Sequence, residues 1–171
     1  MDDLKELLKH YSDWGVPVAL WDLDSSLADT QHRHWIIPEI KRREKTWDDY
    51  SMLCIDDTPI LGPIAVMRAL DSHWHFALSG RADCARLATY NWAAKHSIPL
   101  DELILRPTGS RVNVGVWKVS KIRQLLKMGV QISFMAEDNP DIGRRIHEET
   151  GVPILGLNPF YLNDHTQYGA V

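Results

Sequence analysis

Two cysteines, Cys54 and Cys84, are too few and too unpatterned for a disulfide framework or a zinc site, which predicts a reducing compartment. No apolar run approaches the length of a membrane span. The opening Met1-Asp2-Asp3-Leu4-Lys5-Glu6 is too acidic for a signal or transit peptide. A soluble, cytoplasmic chain without membrane association is therefore expected. A net charge of -4 gives no general attraction to polyanions, so any nucleic-acid contact needs a local basic patch. The phosphate-binding pattern GxxxxGK[ST] occurs nowhere, which excludes a P-loop nucleotide site. There is no internal repeat and no low-complexity linker. What remains is ordinary globular composition, 44% apolar and 25% charged over 171 residues, enough for one domain (1–171) with a real core.

The stretch from Val16 to Asp29 organises the rest. An apolar run, Val18-Ala19-Leu20-Trp21, ends in Asp22-Leu23-Asp24 and then two hydroxyls, Ser25-Ser26. A buried strand delivers its last side chains to the carboxyl edge of a sheet, where ligands of open α/β folds bind. Residues two apart on an extended chain share a face. Two carboxylates that close repel, and a divalent cation with oxygen ligands offsets the repulsion. An isolated Asp-x-Asp is otherwise a strand that ends in solvated, helix-capping acids, so the remaining chain has to decide.

Residues 2–14 carry Leu4, Leu7, Leu8 and Tyr11 at helical spacing, and Gly15 ends that segment before a strand at about 16–22. Residues 28–60 are irregular, with Gln31-His32-Arg33-His34, the basic run 41–45 and Trp47-Asp48-Asp49-Tyr50. They read as a small cap-like insertion over the first strand end, partly helical before Pro59. Beyond Gly62 the pattern becomes regular. Helices are expected at about 63–71, 82–96, 117–128 and from Pro140 to Gly151, and strands at 75–78, 102–105, 131–136 and 153–157. Alternation of this kind predicts a Rossmann-like three-layer α/β/α fold with a mainly parallel five-stranded sheet.

That topology gathers four polar clusters at one sheet edge: Asp22 and Asp24, then Ser79-Gly80-Arg81, then Lys118 at a helix start, then Glu137-Asp138. Carboxylates there can hold Mg²⁺, while a hydroxyl, an amide beside glycine and an ammonium surround phosphate oxygens. The set, in this order, resembles the haloacid dehalogenase (HAD) superfamily of phosphotransferases, over residues 16–158. The resemblance implies Asp22 as nucleophile and Asp24 as general acid. It also implies Ser79 and Lys118 on the phosphate oxygens, and Mg²⁺ on Asp22, the Asp24 carbonyl and Asp138, with Glu137 acting directly or through water. Asp24 favours phosphate chemistry over the dehalogenase branch, which lacks that acid. Two departures stand out. Ser25 replaces the glycine of the usual DxDGT, with Ser26 supplying the hydroxyl normally given by threonine, and Glu137 replaces an aspartate.

Residues 103–111 (Leu-Ile-Leu-Arg-Pro-Thr-Gly-Ser-Arg), with Lys118, Ser79-Gly80-Arg81 and the closing stretch through Asn158-Pro159, are similar to the 3′-phosphatase domain of phage-type polynucleotide kinase-phosphatases. By this resemblance Arg81, Arg106 and Arg111 hold phosphate or sugar. Arg33, with its flanking histidines, falls where that group places substrate-recognition residues. Structural roles stay open: Arg81 can cap a helix or pair with Asp83, and the others can be loop charges. The substrate implied is a phosphorylated nucleic-acid end or a nucleotide, in the host cytoplasm if a phage encodes the chain, with no obligate protein partner. Trp35 and Trp47 can stack on a base or pack. Rival readings are a 5′(3′)-nucleotidase on the same core, a receiver-type regulatory module, and an inactive nucleic-acid-binding relic. The receiver is disfavoured because Arg106, not an aspartate, follows the third strand. The relic is disfavoured because Asp22, Asp24, Lys118 and Asp138 are all present.

Overall fold

The computed structural model describes residues 15–43 and 45–157. The segment expected to be helical at 2–14 and the closing Asn158-Pro159 lie outside the described residues. The first strand, β1 (Val18–Trp21), is buried at every position because strands flank it on both sides and helices cover both faces. Its alternating side chains enter two separate cores. Val18 and Leu20 pack with Phe76, Leu78, Ile122 and Met135, whereas Ala19 and Trp21 pack with Ile64, Met67, Trp92 and Leu103.

In chain order there follow β2 (Ala28–Asp29), α1 (Ile37–Lys41), α2 (Trp47–Met52), β3 (Thr58–Pro59), α3 (Leu61–Ala69), β4 (Trp74–Ala82), α4 (Arg86–Lys95), β5 (Glu102–Arg106), α5 (Val114–Lys127), β6 (Ile132–Glu137), α6 (Pro140–Thr150) and β7 (Ile154–Gly156). The main sheet has five strands in the order β5-β4-β1-β6-β7, with every pairing parallel. Its α/β fold, helices on both faces, is the one expected. β2 and β3 pair antiparallel as a short ribbon that opens and closes the insertion.

Three boundaries differ from expectation by three residues or more, each for a local reason. β4 runs on through Ser79-Gly80-Arg81-Ala82, and its pairing with β5 shifts register between Ser79 and Ala82. Such a bulge redirects side chains at a strand end. The helix expected from 82 therefore begins only at Arg86, after a 3₁₀ turn at Asp83–Ala85. Helix α5 starts three residues early because the Asn113 side chain accepts from the Val116 amide and caps it. Lys118 consequently sits in the second turn, not at the helix start. At α6 the expected signals operate, with Pro140 in the first turn and Gly151 at φ 74° ending the helix, and the structure adds a cap: the Asn139 side chain accepts from the Asp141 and Ile142 amides.

Ser25, at the position where a glycine is usual, is left-handed at φ 62°, and its amide donates to the Ala28 carbonyl at 2.8 Å. The turn geometry is retained at the steric expense of a Cβ. Replacing Ser25 with glycine should raise stability by about 0.5–1 kcal/mol in urea denaturation, and Ser25→Val should lower it by at least as much.

Candidate active site

The carboxyl edge of the sheet holds two adjoining charge clusters. In the first, the Asp22 amide still donates to the Ala136 carbonyl at 2.9 Å, so its side chain leaves β1 at a fixed height. Lys118 Nζ lies 2.9 Å from Asp22 Oδ1 and 2.7 Å from Glu137 Oε2, with all three groups buried. Asp22, Glu137 and Asp138 each offer a carboxylate oxygen within 4.8 Å of the others. Ser26, buried below, directs its hydroxyl to Asp138 Oδ1 at 3.4 Å.

Three acids around one ammonium leave an excess of negative charge. Burial pushes the Asp22 carboxyl up to about 6 against the pull of Lys118, with Glu137 and Asp24 adding to the rise. Burial and then Asp22 lift Asp138 to about 6 as well. Burial opposes the charge on Lys118, but Asp22 and Glu137 outweigh it and hold the ammonium protonated. Hard oxygen donors with surplus negative charge fit a hard divalent cation such as Mg²⁺. Asp22, Glu137 and Asp138 are the side chains that would hold it.

The second cluster secures Asp24. Its Oδ1 accepts from Arg33 Nη2 at 2.7 Å and from Arg81 Nε at 2.6 Å. Burial raises the Asp24 carboxyl, but Arg81 and Arg33 together overcome that and hold it below the ordinary carboxylate range. Both guanidiniums also grip Asp57. Arg33 Nε and Nη2 reach its two oxygens at 2.8 Å each, Arg81 Nη2 pairs with Oδ2, and His32 Nε2 lies 2.9 Å from Oδ1. Tyr50 sits beside this lattice, its carbonyl accepting from Arg33 Nη1 at 3.0 Å and its ring 4.1 Å below the guanidinium. Trp92 donates to the Asp57 carbonyl at 2.7 Å.

A cavity of about 450 Å³ opens above both clusters, walled by Asp22, Asp24, Ser79, Gly80, Arg81, Arg106, Lys118, Glu137 and Asp138, with Trp47, Tyr50, Val112 and Asn113 nearer the insertion and the β5–α5 loop. Gly80 permits close packing there, since a Cβ would stand 3.1 Å from Val114 Cγ1. The buried Ser79 hydroxyl accepts from the Arg81 amide at 3.3 Å. Arg106 is buried, its Nη1 donating to the Val112 carbonyl at 3.2 Å, while Nε has no partner among the described residues.

The topology thus brings Asp22, Asp24, Ser79, Gly80, Arg81, Arg106, Lys118, Glu137 and Asp138 to one cavity. Arg33 and Ser26 lie beneath it, committed to Asp24, Asp57 and Asp138, and Arg111 is exposed and not among the cavity walls. Arg81 does not pair with Asp83, which binds Arg86 at 2.6 Å instead. The Asp24 carboxylate faces arginines, so it stands apart from the three-acid cluster. Asp57 had no signal in the sequence. It follows Asp56 ahead of Thr58-Pro59 with no periodicity, and only the folded insertion carries it to Arg33 and Arg81.

No model of a protein family matches the chain, and no curated protein matches it. Solved structures do. A chain of the Pnkp1/Rnl/Hen1 RNA repair complex superposes with a TM-score of 0.70 at 18% identity, covering 84% of this chain and 46% of that one. A second structure of that complex gives 0.69 at 18% identity, with 84% and 43% covered. The class C acid phosphatase of Bacillus anthracis, with tungstate bound, gives 0.56 at 14% identity, with 93% and 79% covered. The chain spans less than half the length of the repair-complex chains it matches. These likenesses show a shared fold, the α/β arrangement of a mainly parallel sheet covered by helices.

Two outcomes test the electrostatics. Asp57→Asn leaves two buried guanidiniums sharing one carboxylate, and should cost about 3–5 kcal/mol in urea denaturation. Asp22 and Asp138, lifted from 3.8 to about 6, bind protons in the folded state that they lose when unfolded. Their contribution is therefore full below about pH 4 and is lost as pH rises through about 6. In chelator, the melting temperature of Asp138→Asn relative to wild type should accordingly increase as pH rises from about 4 to about 6.

Proposed function

We propose that this chain is a Mg²⁺-dependent phosphomonoester hydrolase that works through an aspartyl phosphate, and that its substrate is the 3′-phosphorylated end of a polynucleotide. One observation carries the catalytic reading: Asp22, backed by Lys118, faces the same cavity as an Asp24 held rigidly by two arginines. One carboxylate is thereby placed to attack and the other to handle a proton.

In the first step an Asp22 oxygen forms a bond to phosphorus as the bond from phosphorus to the leaving oxygen breaks. Asp24 passes a proton to that oxygen, so the leaving group departs as an alcohol. Because Arg33 and Arg81 keep Asp24 ionised at rest, the proton arrives on the monoanion of the ester, whose second ionisation lies near pH ~6. In the second step Asp24, again a carboxylate, takes a proton from water. The oxygen of that water attacks phosphorus, freeing Asp22 and inorganic phosphate. Lys118 holds Asp22 in place throughout and faces the charge of the phosphoryl group from the same cavity as Ser79. The cation, when bound, supplies positive charge against the transferring phosphoryl oxygens.

The polynucleotide end is supported by the sequence likeness to phage-type 3′-phosphatase domains and by the fold shared with chains of an RNA repair complex. The cavity volume, about 450 Å³, also suits a free nucleotide, which keeps a nucleotidase as the second reading. Phosphate release with Mg²⁺ from a 3′-phosphorylated oligonucleotide, beside the 3′- and 5′-mononucleotides, separates the two. Faster release from the oligonucleotide is expected, falling by at least a thousandfold in Asp22→Asn. Faster release from mononucleotides would move the chain to nucleotide metabolism.

A further inference from the structure

Trp47 is the largest apolar group on the cavity wall, and the fold leaves it half in water, 51% exposed. A tryptophan surplus to the core normally turns its face to neighbours or is free to swing. This one is fixed. Thr46 and Asp49 form a reciprocal cap around the start of α2, with the Thr46 amide donating to Asp49 Oδ2 at 2.7 Å and the Asp49 amide to Thr46 Oγ1 at 3.2 Å. One residue on, Asp48 Oδ2 accepts from the Gly109 amide at 2.8 Å, which ties α2 to the loop beyond β5. The ring itself meets Tyr50 edge-on, 5.5 Å between centroids at 75°.

The same cavity contains a second incomplete partner. Val112 is half exposed, and its carbonyl holds one end of Arg106, whose buried Nε–H finds no acceptor among the described residues. A half-exposed aromatic ring and a buried arginine thus line one chamber with the acids of the proposed chemistry. A phosphoester with a plain alkyl leaving group needs neither.

From this, and resting on the phosphatase reading above, we infer that Trp47 forms a ring-binding subsite. It takes the nucleobase of the terminal nucleotide as a stacking partner, with the Arg106 side chain on the wall of the same cavity. Stacking on an indole accepts any base, because each has a π face. The subsite therefore gives affinity for a nucleoside-bearing phosphate without choosing its sequence. A ring carried on an already fixed backbone, with its edge against Tyr50, has less freedom to lose on binding.

The test compares two oligonucleotides ending in a 3′-phosphate, one with an ordinary terminal base and one with an abasic terminal sugar, on wild type, Trp47→Ala and Trp47→Phe. For the base-bearing substrate Trp47→Ala should raise KM roughly 5- to 100-fold with kcat within a factor of about two, and Trp47→Phe should restore most of the loss. The abasic substrate should show the same KM in all three. Equal effects on both substrates, or no effect on either, would overturn the subsite. Should wild type hydrolyse neither, the phosphatase reading itself has failed. The subsite is then judged by quenching of tryptophan fluorescence with a 3′-mononucleotide: quenching that disappears in Trp47→Phe sustains it, and none in wild type sinks it.

Discussion

Bringing four carboxylates, Asp22, Asp24, Glu137 and Asp138, to the end of one buried sheet sets a problem in charge that the surrounding structure has to answer. Burial and mutual repulsion both disfavour the ionised forms, and unpaired they would protonate and lose their chemistry. The protein divides them. Lys118 is placed between Asp22 and Glu137, and Arg33 and Arg81 are placed on Asp24. The two halves then differ in kind. Asp24 is held well ionised, whereas Asp22 and Asp138 are lifted to about 6 and keep a surplus of negative charge suited to a cation.

Two arginines on one carboxylate would themselves be an excess of positive charge, and Asp57 removes it. Because Arg33 and Asp57 both belong to the segment between β2 and β3, that short insertion is part of the charge lattice. Arg81 belongs to β4, so the lattice also fastens the insertion to the sheet. The segment that supplies Trp47 and Tyr50 to the cavity wall is thereby held by the same ion pairs that orient Asp24. The cavity wall and the orientation of Asp24 rest on one set of contacts.

The bulge in β4 connects sheet to site in a second way. A regular strand would have continued the alternation past Ser79 and turned Arg81 elsewhere. The register shift lets Arg81 reach Asp24, Asp57 and Thr89 together, while Gly80 permits the start of α5 to close against the strand. Lys118 gains its place from the early capping of that same helix by Asn113.

Much of this was present in the chain before it folded. Alternating apolar runs and helical periods specify a parallel sheet, and a parallel sheet sends every strand end to one edge. Asp22, Ser79, Lys118 and Glu137-Asp138 could therefore be grouped from their order alone. Pro140-Asp141 and Gly151 declared the start and stop of α6 by local backbone preference. What local pattern could not express was partnership across long separations. Arg33 and Arg81 were legible as charges near a site, but that they turn inward to Asp24 and Asp57 depends on a bulge and on the path of an irregular insertion. Asp57 was invisible because a buried ion pair has no period: its identity as a partner exists only where tertiary packing removes water from both charges at once.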